Sequence, residues 1–218
     1  MTFDAVIFDL DGTLLDTERL VTEAGMLALA AFGHPADRGF LASLTGIQHD
    51  ESNRRLRDWL GIDDLGPFEA EWEAEVQRHY ARGIPLMAGA RELLGQLTLP
   101  LAVATNSATE RAIRKLKEAG ILDHFQHVIG YDSVPQPKPA PDVFLEAARR
   151  LGADPDMCLV FEDSDVGVAA ALAAGMTVVQ VPDMHHSGTA GAHFIADSLL
   201  AGAQAAGLVW TPRAIALE

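Results

Sequence analysis

The chain has 218 residues, of which 49% are hydrophobic and 22% charged, and its formal net charge is −15. That length and composition suit one large domain, or one domain carrying an insertion, and exclude a disordered chain. The acidity argues against nucleic acid and anionic membranes as partners, and any phosphorylated substrate would need a local cation to offset the repulsion.

Along the chain, Met1-Thr2-Phe3-Asp4 places an acid where a secretory leader needs a basic stretch. No apolar run reaches the roughly 18 residues of a membrane-spanning helix. A cytoplasmic protein is expected, and the single cysteine, Cys158, fits a reducing compartment and a buried, inert thiol. Ala5-Val6-Ile7-Phe8 is a short apolar run that ends in an acidic turn, Asp9-Leu10-Asp11-Gly12-Thr13. A buried parallel strand delivering side chains to a site at its C-terminal end has this form.

Residues 18–83 then read as helical, with helices expected over 18–32, 50–60 and 67–81 and no strand between them. The loop over residues 45–51, with Thr45, Gly46, Gln48 and His49, lies between two of these helices. Beyond residue 84 the strand pattern returns, over 99–104, 127–129, 158–161, 177–181 and 192–195. Helices are expected between these strands, amphipathic over 109–119 and 141–151 and Ala-rich over 166–174. In the first of them Ile113 and Leu116 mark the apolar face and the charges mark the other. Alternation of strand and helix predicts an α/β fold, a doubly wound, mostly parallel sheet of Rossmann-like form. The expected domains are a core of residues 1–17 and 84–218 and an inserted all-helical cap of residues 18–83.

Four acids stand at predicted strand ends: Asp9, Asp11, Glu162 and Asp163. The C-terminal ends of parallel strands share one edge, so these acids can meet across about 150 positions of sequence. Clustered carboxylates call for a cation, and hard oxygen ligands favour Mg²⁺. Asp is also a common helix N-cap, a role open to Asp163 or Ser164. Thr105-Asn106-Ser107 ends another strand, where hydroxyls and amides suit phosphate oxygens or another cap. Lys138 lies in a proline-rich loop, Pro135 to Pro139, as a phosphate partner or an ordinary solvated lysine.

Together these segments resemble the haloacid dehalogenase superfamily of phosphotransferases. The resemblance rests on Phe8-Asp9-Leu10-Asp11-Gly12-Thr13-Leu14-Leu15-Asp16-Thr17, on Thr105, on Lys138-Pro139-Ala140-Pro141-Asp142 and on Phe161-Glu162-Asp163-Ser164, in that order. It implies that Asp9 is the nucleophile, that Asp11 moves the proton, and that Lys138 neutralises phosphate. It further implies phosphate contacts at Gly12, Thr105 and Asn106, and a Mg²⁺ site at Asp9, Asp11 (through its carbonyl), Glu162 and Asp163. Gly46, Gln48 and His49 of the cap loop would read the substrate. The phosphoglucomutase-like members carry a histidine where Val21 stands here, and basic residues where Thr45 and His49 stand. Hydrolysis of a small phosphorylated metabolite, a sugar or nucleoside-type phosphate, is therefore expected by a protein that acts as a monomer or a dimer. A phosphosugar mutase and a non-enzymatic binding protein are the alternatives.

Overall fold

The computed structural model describes residues 2–44, 49–182 and 191–208. The chain divides into two compact units, Met1–Asp16 with Pro85–Glu218, and Thr17–Ile84. Among the described residues the first unit holds six strands: β1 (Ala5–Phe8), β2 (Leu101–Ala104), β3 (His127–Ile129), β4 (Cys158–Glu162), β5 (Thr177–Gln180) and β6 (Phe194–Ile195). They form one sheet in the order β3-β2-β1-β4-β5-β6, and every pairing is parallel. β1 therefore has β2 on one side and β4 on the other, so the winding reverses there and a crevice opens at its C-terminal end. β2 begins at Leu101, two residues later than expected; Pro100 has no N–H to give a ladder, and its carbonyl instead accepts from Val6. β4 runs one residue further than expected, so that Glu162 pairs with Gln180 inside the sheet.

The second unit contains α1 (Thr17–Ala31), α2 (Arg38–Ala42), α3 (His49–Leu60) and α4 (Gly66–Tyr80). Its core gathers Ala28, Leu29, Leu41, Leu44, Leu56, Leu60, Leu65 and Phe68. α2 is absent from the sequence reading, because five residues are too few to show a period; Asp37 caps it, accepting from Phe40 N at 2.9 Å. Thr45, Gly46 and Gln48 of the expected substrate loop lie outside the described residues, as does the His49 side chain; His49 itself opens α3.

The first unit adds α5 (Ala90–Gln96), α6 (Thr109–Glu118), α7 (Asp142–Leu151), α8 (Asp165–Ala173) and α9 (Leu199–Ala205). Side chains alternate across the strands, so each face buries a different set. On one face Ala5, Ile7, Ala102 and Val160 pack with Val143, Phe144 and Ala147 of α7 and with Val168 and Ala171 of α8. On the other, Phe8 and Phe161 stack with ring centroids 5.0 Å apart. Gly202 of α9 comes so close to Val179 and Phe161 there that a side chain would not fit. Helices cover both faces, as the strand–helix alternation requires. Cys158 lies buried at the start of β4, and burial pushes its thiol up to about 11. No helix among the described residues is long and apolar enough to cross a membrane.

Candidate active site

The site is built at the C-terminal ends of β1, β2 and β4. β1 hands the chain to Asp9, whose N–H donates to the Phe161 carbonyl at 2.9 Å, so the Asp9 backbone is locked to β4. β4 in turn delivers Glu162 and Asp163. Asp9, Glu162 and Asp163 each offer a carboxylate oxygen within 4.8 Å of the others, and all three are buried. Lys138 reaches into this group: its Nζ donates to Asp9 Oδ1 at 2.6 Å and to Glu162 Oε1 at 2.7 Å. The same ammonium stands 4.7 Å from the centroid of the Phe144 ring. Lys138 is only 6% exposed, so the reading of a solvated loop lysine is excluded.

Burial raises the Asp9 carboxyl well above the ordinary aspartate range; Lys138 pulls it back, while Glu162 and Asp11 add to the rise. Burial, then the Asp9 and Glu162 charges, raise Asp163 as well. Burial by itself would lower Lys138, yet the Asp9 and Glu162 charges more than offset it and hold the ammonium charged. Three buried carboxyl groups thus face one ammonium, two acids more than the lysine can pair.

Several neighbours hold the charged groups in place. Thr13 Oγ1 donates to Asp163 Oδ1 at 3.1 Å, and Gln180 Nε2 donates to the Asp163 carbonyl at 3.1 Å and to Asp165 Oδ1 at 3.0 Å. Glu162 Oε2 accepts from Ser164 N at 2.8 Å and from Ser164 Oγ at 2.9 Å. Ser164 is also the N-cap of α8, accepting from Gly167 N at 3.0 Å. Of the two residues that could cap this helix, Ser164 does so, and the Asp163 carboxylate stays with the site.

Two of the expected phosphate-binding residues also make bonds within the chain. The Asn106 side chain clamps the Lys138 backbone, accepting from Lys138 N at 2.9 Å and donating to the Lys138 carbonyl at 3.2 Å. The Gly12 N–H donates to the Leu15 carbonyl at 2.9 Å, and its φ of 85° lets the turn pass directly over Asp163. Thr105 is buried just after β2 and its Oγ1 accepts from Ser107 N at 3.0 Å, which leaves its own hydroxyl proton to donate.

The Asp11 carboxylate does not join the other three. It turns to Ser107, whose Oγ donates to Oδ2 at 2.9 Å, and to Lys115 of α6, whose Nζ lies 2.7 Å from Oδ1 and 2.8 Å from Oδ2. Sequence reasoning placed the charges of α6 on its outer face, but Lys115 is buried with Ala112 and Leu116. The signal was present: positions 112, 115, 116 and 119 follow helical spacing, and Ala119 is buried too.

Residues 3–175 match the haloacid dehalogenase-like hydrolases. The chain belongs to this family. Among its relatives is the (DL)-glycerol-3-phosphatase 2 of Arabidopsis thaliana, 38% identical over 82% of this chain and 79% of that protein. The fructose-1-phosphate phosphatase of Escherichia coli is 35% identical over 82% of this chain and 96% of that protein. A haloacid dehalogenase family hydrolase from Deinococcus radiodurans, solved with bound phosphate and sodium, has a TM-score of 0.80 and 29% identity, and the match covers 97% of this chain and 99% of that one. The enzyme class expected from the motifs, a phosphatase of this family, is the class of the two named relatives.

The donor set of this hydrolase fits a hard dication. Its oxygens are carboxylates within 4.8 Å of one another, and Thr13 and Gln180 hold Asp163. Among the described residues, Asp9, Glu162 and Asp163 are a group whose oxygens could hold one metal ion. Glu162 already serves Lys138 with one oxygen and Ser164 with the other, which suits it to fixing the lysine.

Proposed function

We propose that this hydrolase is a Mg²⁺-dependent phosphomonoesterase that works through an aspartyl phosphate on Asp9. The observation that carries the reading is the Lys138 bridge between Asp9 and Glu162, with Asp163 beside it at the edge where the sheet reverses. When bound, Mg²⁺ would supply positive charge to the phosphate oxygens and offset the buried carboxylates. The α/β unit is the catalytic core in this reading, and the helical unit is the cap that selects substrates.

In the first step an Asp9 oxygen attacks phosphorus and the P–O bond to the leaving alcohol breaks. Asp11 gives that oxygen its proton. In the second step Asp11 takes a proton from water, whose oxygen attacks the same phosphorus; orthophosphate leaves and the Asp9 carboxylate is restored. Lys138 and the Thr105 hydroxyl meet the charge that develops on the phosphoryl oxygens. Raised carboxyl groups at Asp9 and Asp163 mark a site that awaits positive charge.

The substrate class proposed is a small sugar or nucleoside-type phosphate. The relatives named for glycerol 3-phosphate and fructose 1-phosphate support a small polyol ester. Val21, at the position where mutase-like members have histidine, supports release of phosphate over its retention. A panel of about a hundred phosphorylated metabolites, assayed for free phosphate with and without Mg²⁺, tests this. Mg²⁺-dependent phosphate release from a polyol or nucleotide ester is expected. Isomerisation without phosphate release would make it a mutase, and binding without turnover a non-enzymatic protein.

A further inference from the structure

We propose that Lys115, together with Ser107, is a positioning residue for Asp11: the pair aims the carboxylate that moves the proton. The proposal rests on the reading of Asp11 as the acid–base group and adds to it the residue that holds it.

Burying a lysine ammonium is costly unless it is paired at close range. Lys115 is 6% exposed, and its Nζ meets both Asp11 oxygens, at 2.7 and 2.8 Å. Ser107 Oγ closes the triangle, 2.9 Å from Asp11 Oδ2 and 3.4 Å from Lys115 Nζ. Two fixed groups on one carboxylate define the orientation of its plane, which a single contact would not. The Asp11 side chain keeps 30% of its surface exposed, so it is held without being closed off.

The platform beneath Lys115 is itself anchored. Thr109, the first residue of α6, donates through both N and Oγ1 to Asp132 Oδ1, at 2.8 and 2.6 Å, and its Oγ1 accepts from Gly130 N at 3.1 Å. Tyr131 N donates to the Ser107 carbonyl at 3.2 Å. The loop after β3 therefore fixes both the start of α6 and the Ser107 backbone. From there a regular helix carries Lys115 to its buried side, which it shares with Ala112 and Leu116. Asp11 is thus referenced to β2 and β3, the strands on its own side of β1, while Asp9 is referenced to β4.

An ion pair that merely stabilised the fold would be indifferent to what Asp11 does. A positioning pair acts only through Asp11, and it matters most where proton transfer matters most. Departure of a basic alcohol needs the proton; departure of an acidic phenol does not. The test measures kcat/KM, which covers binding through departure of the leaving group, for phenyl phosphate and 2,4-dinitrophenyl phosphate. The proteins are the wild type, Lys115→Met, Lys115→Gln, Asp11→Asn and the Asp11→Asn/Lys115→Met double variant. Each is assayed with Mg²⁺ at its own pH optimum, so that position is read apart from ionisation.

For Lys115→Met the expected loss is roughly tenfold to a hundredfold on phenyl phosphate and under about threefold on the dinitrophenyl ester. Lys115→Gln, which keeps one donor, should show a smaller loss with the same gradation, and it carries the test if the methionine variant does not fold. In the Asp11→Asn background the methionine substitution should cost less than about twofold further. Equal losses on both esters, or a full further loss in the double variant, would overturn the positioning role. If Asp11→Asn itself lost equally on both esters, the acid–base reading of Asp11 would fall, and the proposal with it. A graded Asp11→Asn beside an ungraded Lys115→Met would sink the positioning role alone.

Discussion

Gly12 and Asp163 are packed so closely that a Cβ at Gly12 would stand 2.6 Å from Asp163 Oδ2. The turn after β1 therefore runs against the Asp163 carboxylate, which the proposed function makes a Mg²⁺ ligand, and its geometry is set by a φ of 85° that other residues rarely adopt. Gly12→Ala is expected to combine backbone strain with displacement of Asp163. Stability should fall by about 1–3 kcal/mol, and Mg²⁺ affinity should fall with it. Gly33, with a φ of 79° and nothing within 4 Å, provides the control. Gly33→Ala should lose stability but keep its Mg²⁺ affinity. Thermal melts and calorimetric Mg²⁺ titrations of both variants decide the matter; an unchanged affinity in Gly12→Ala would show that the close approach does not tune the cation site.

Asp163→Ala should weaken Mg²⁺ binding by tenfold or more, on the order of 1.4 kcal/mol, while leaving the fold intact. The carboxylate is raised by burial and by the Asp9 and Glu162 charges, so its removal relieves repulsion in the metal-free protein. The metal-free variant is therefore expected to melt at or above the wild-type temperature, and the two should change order once Mg²⁺ is added. A variant that binds Mg²⁺ as tightly as the wild type would reduce Asp163 to a packing residue.

Much of this site was legible because one physical pattern recurs: a short apolar strand ending in a polar turn. Asp9 and Asp163 follow such strands directly and Glu162 ends one, so the parallel sheet brought them together. Lys138 was legible only through the family resemblance, because nothing in Pro-Gln-Pro-Lys-Pro tells a buried lysine from a solvated one. The pattern marks position but not partner, so it did not show that the Asn106 side chain clamps the Lys138 backbone or that the Gly12 amide bonds the Leu15 carbonyl. Lys115 was missed because charge was taken as a sign of exposure. On a helix whose small alanines at 112 and 119 leave room, a long amphipathic side chain can run inward. Helices α2, α5 and α9, of five to seven residues, are too short for periodicity to find.

The dependence of stability on pH follows from the same carboxylates. Asp9 and Asp163 are raised in the folded chain above the ordinary aspartate value of about 4. Above that pH the folded state binds more protons than the unfolded state, so stability falls as pH rises. Lys138 is shifted up, and its stabilisation is fully present below the ordinary lysine range, so it does not reverse the trend at neutral pH. Without Mg²⁺ the melting temperature should decline from pH 5 toward pH 8, allowing for the other groups that titrate there. With saturating Mg²⁺ the decline should flatten, because a cation bound only by the folded state stabilises it and offsets the excess charge. A Mg²⁺-induced shift that is the same at both ends of this range would show that the buried carboxylates are not what the cation relieves.

The proposed chemistry as a whole turns on Asp9. Its Oδ1 receives the Lys138 ammonium at 2.6 Å, and its backbone is fixed to β4 by the bond to the Phe161 carbonyl. Asp9→Asn preserves the shape and most of the hydrogen-bonding capacity of the side chain. It also removes one of the three crowded carboxylates, so the folded state should be kept. An amide oxygen is a poor nucleophile, and the loss of turnover is expected to be on the order of 10³-fold or more. Phosphate analogues should still bind, since Lys138, Thr105 and Asp163 are untouched. Rapid acid quench with ³²P-labelled substrate should trap label on the wild-type protein and none on the variant. Wild-type turnover in a folded Asp9→Asn protein, or equal labelling of both, would place the nucleophile elsewhere and dismantle the mechanism proposed for this site.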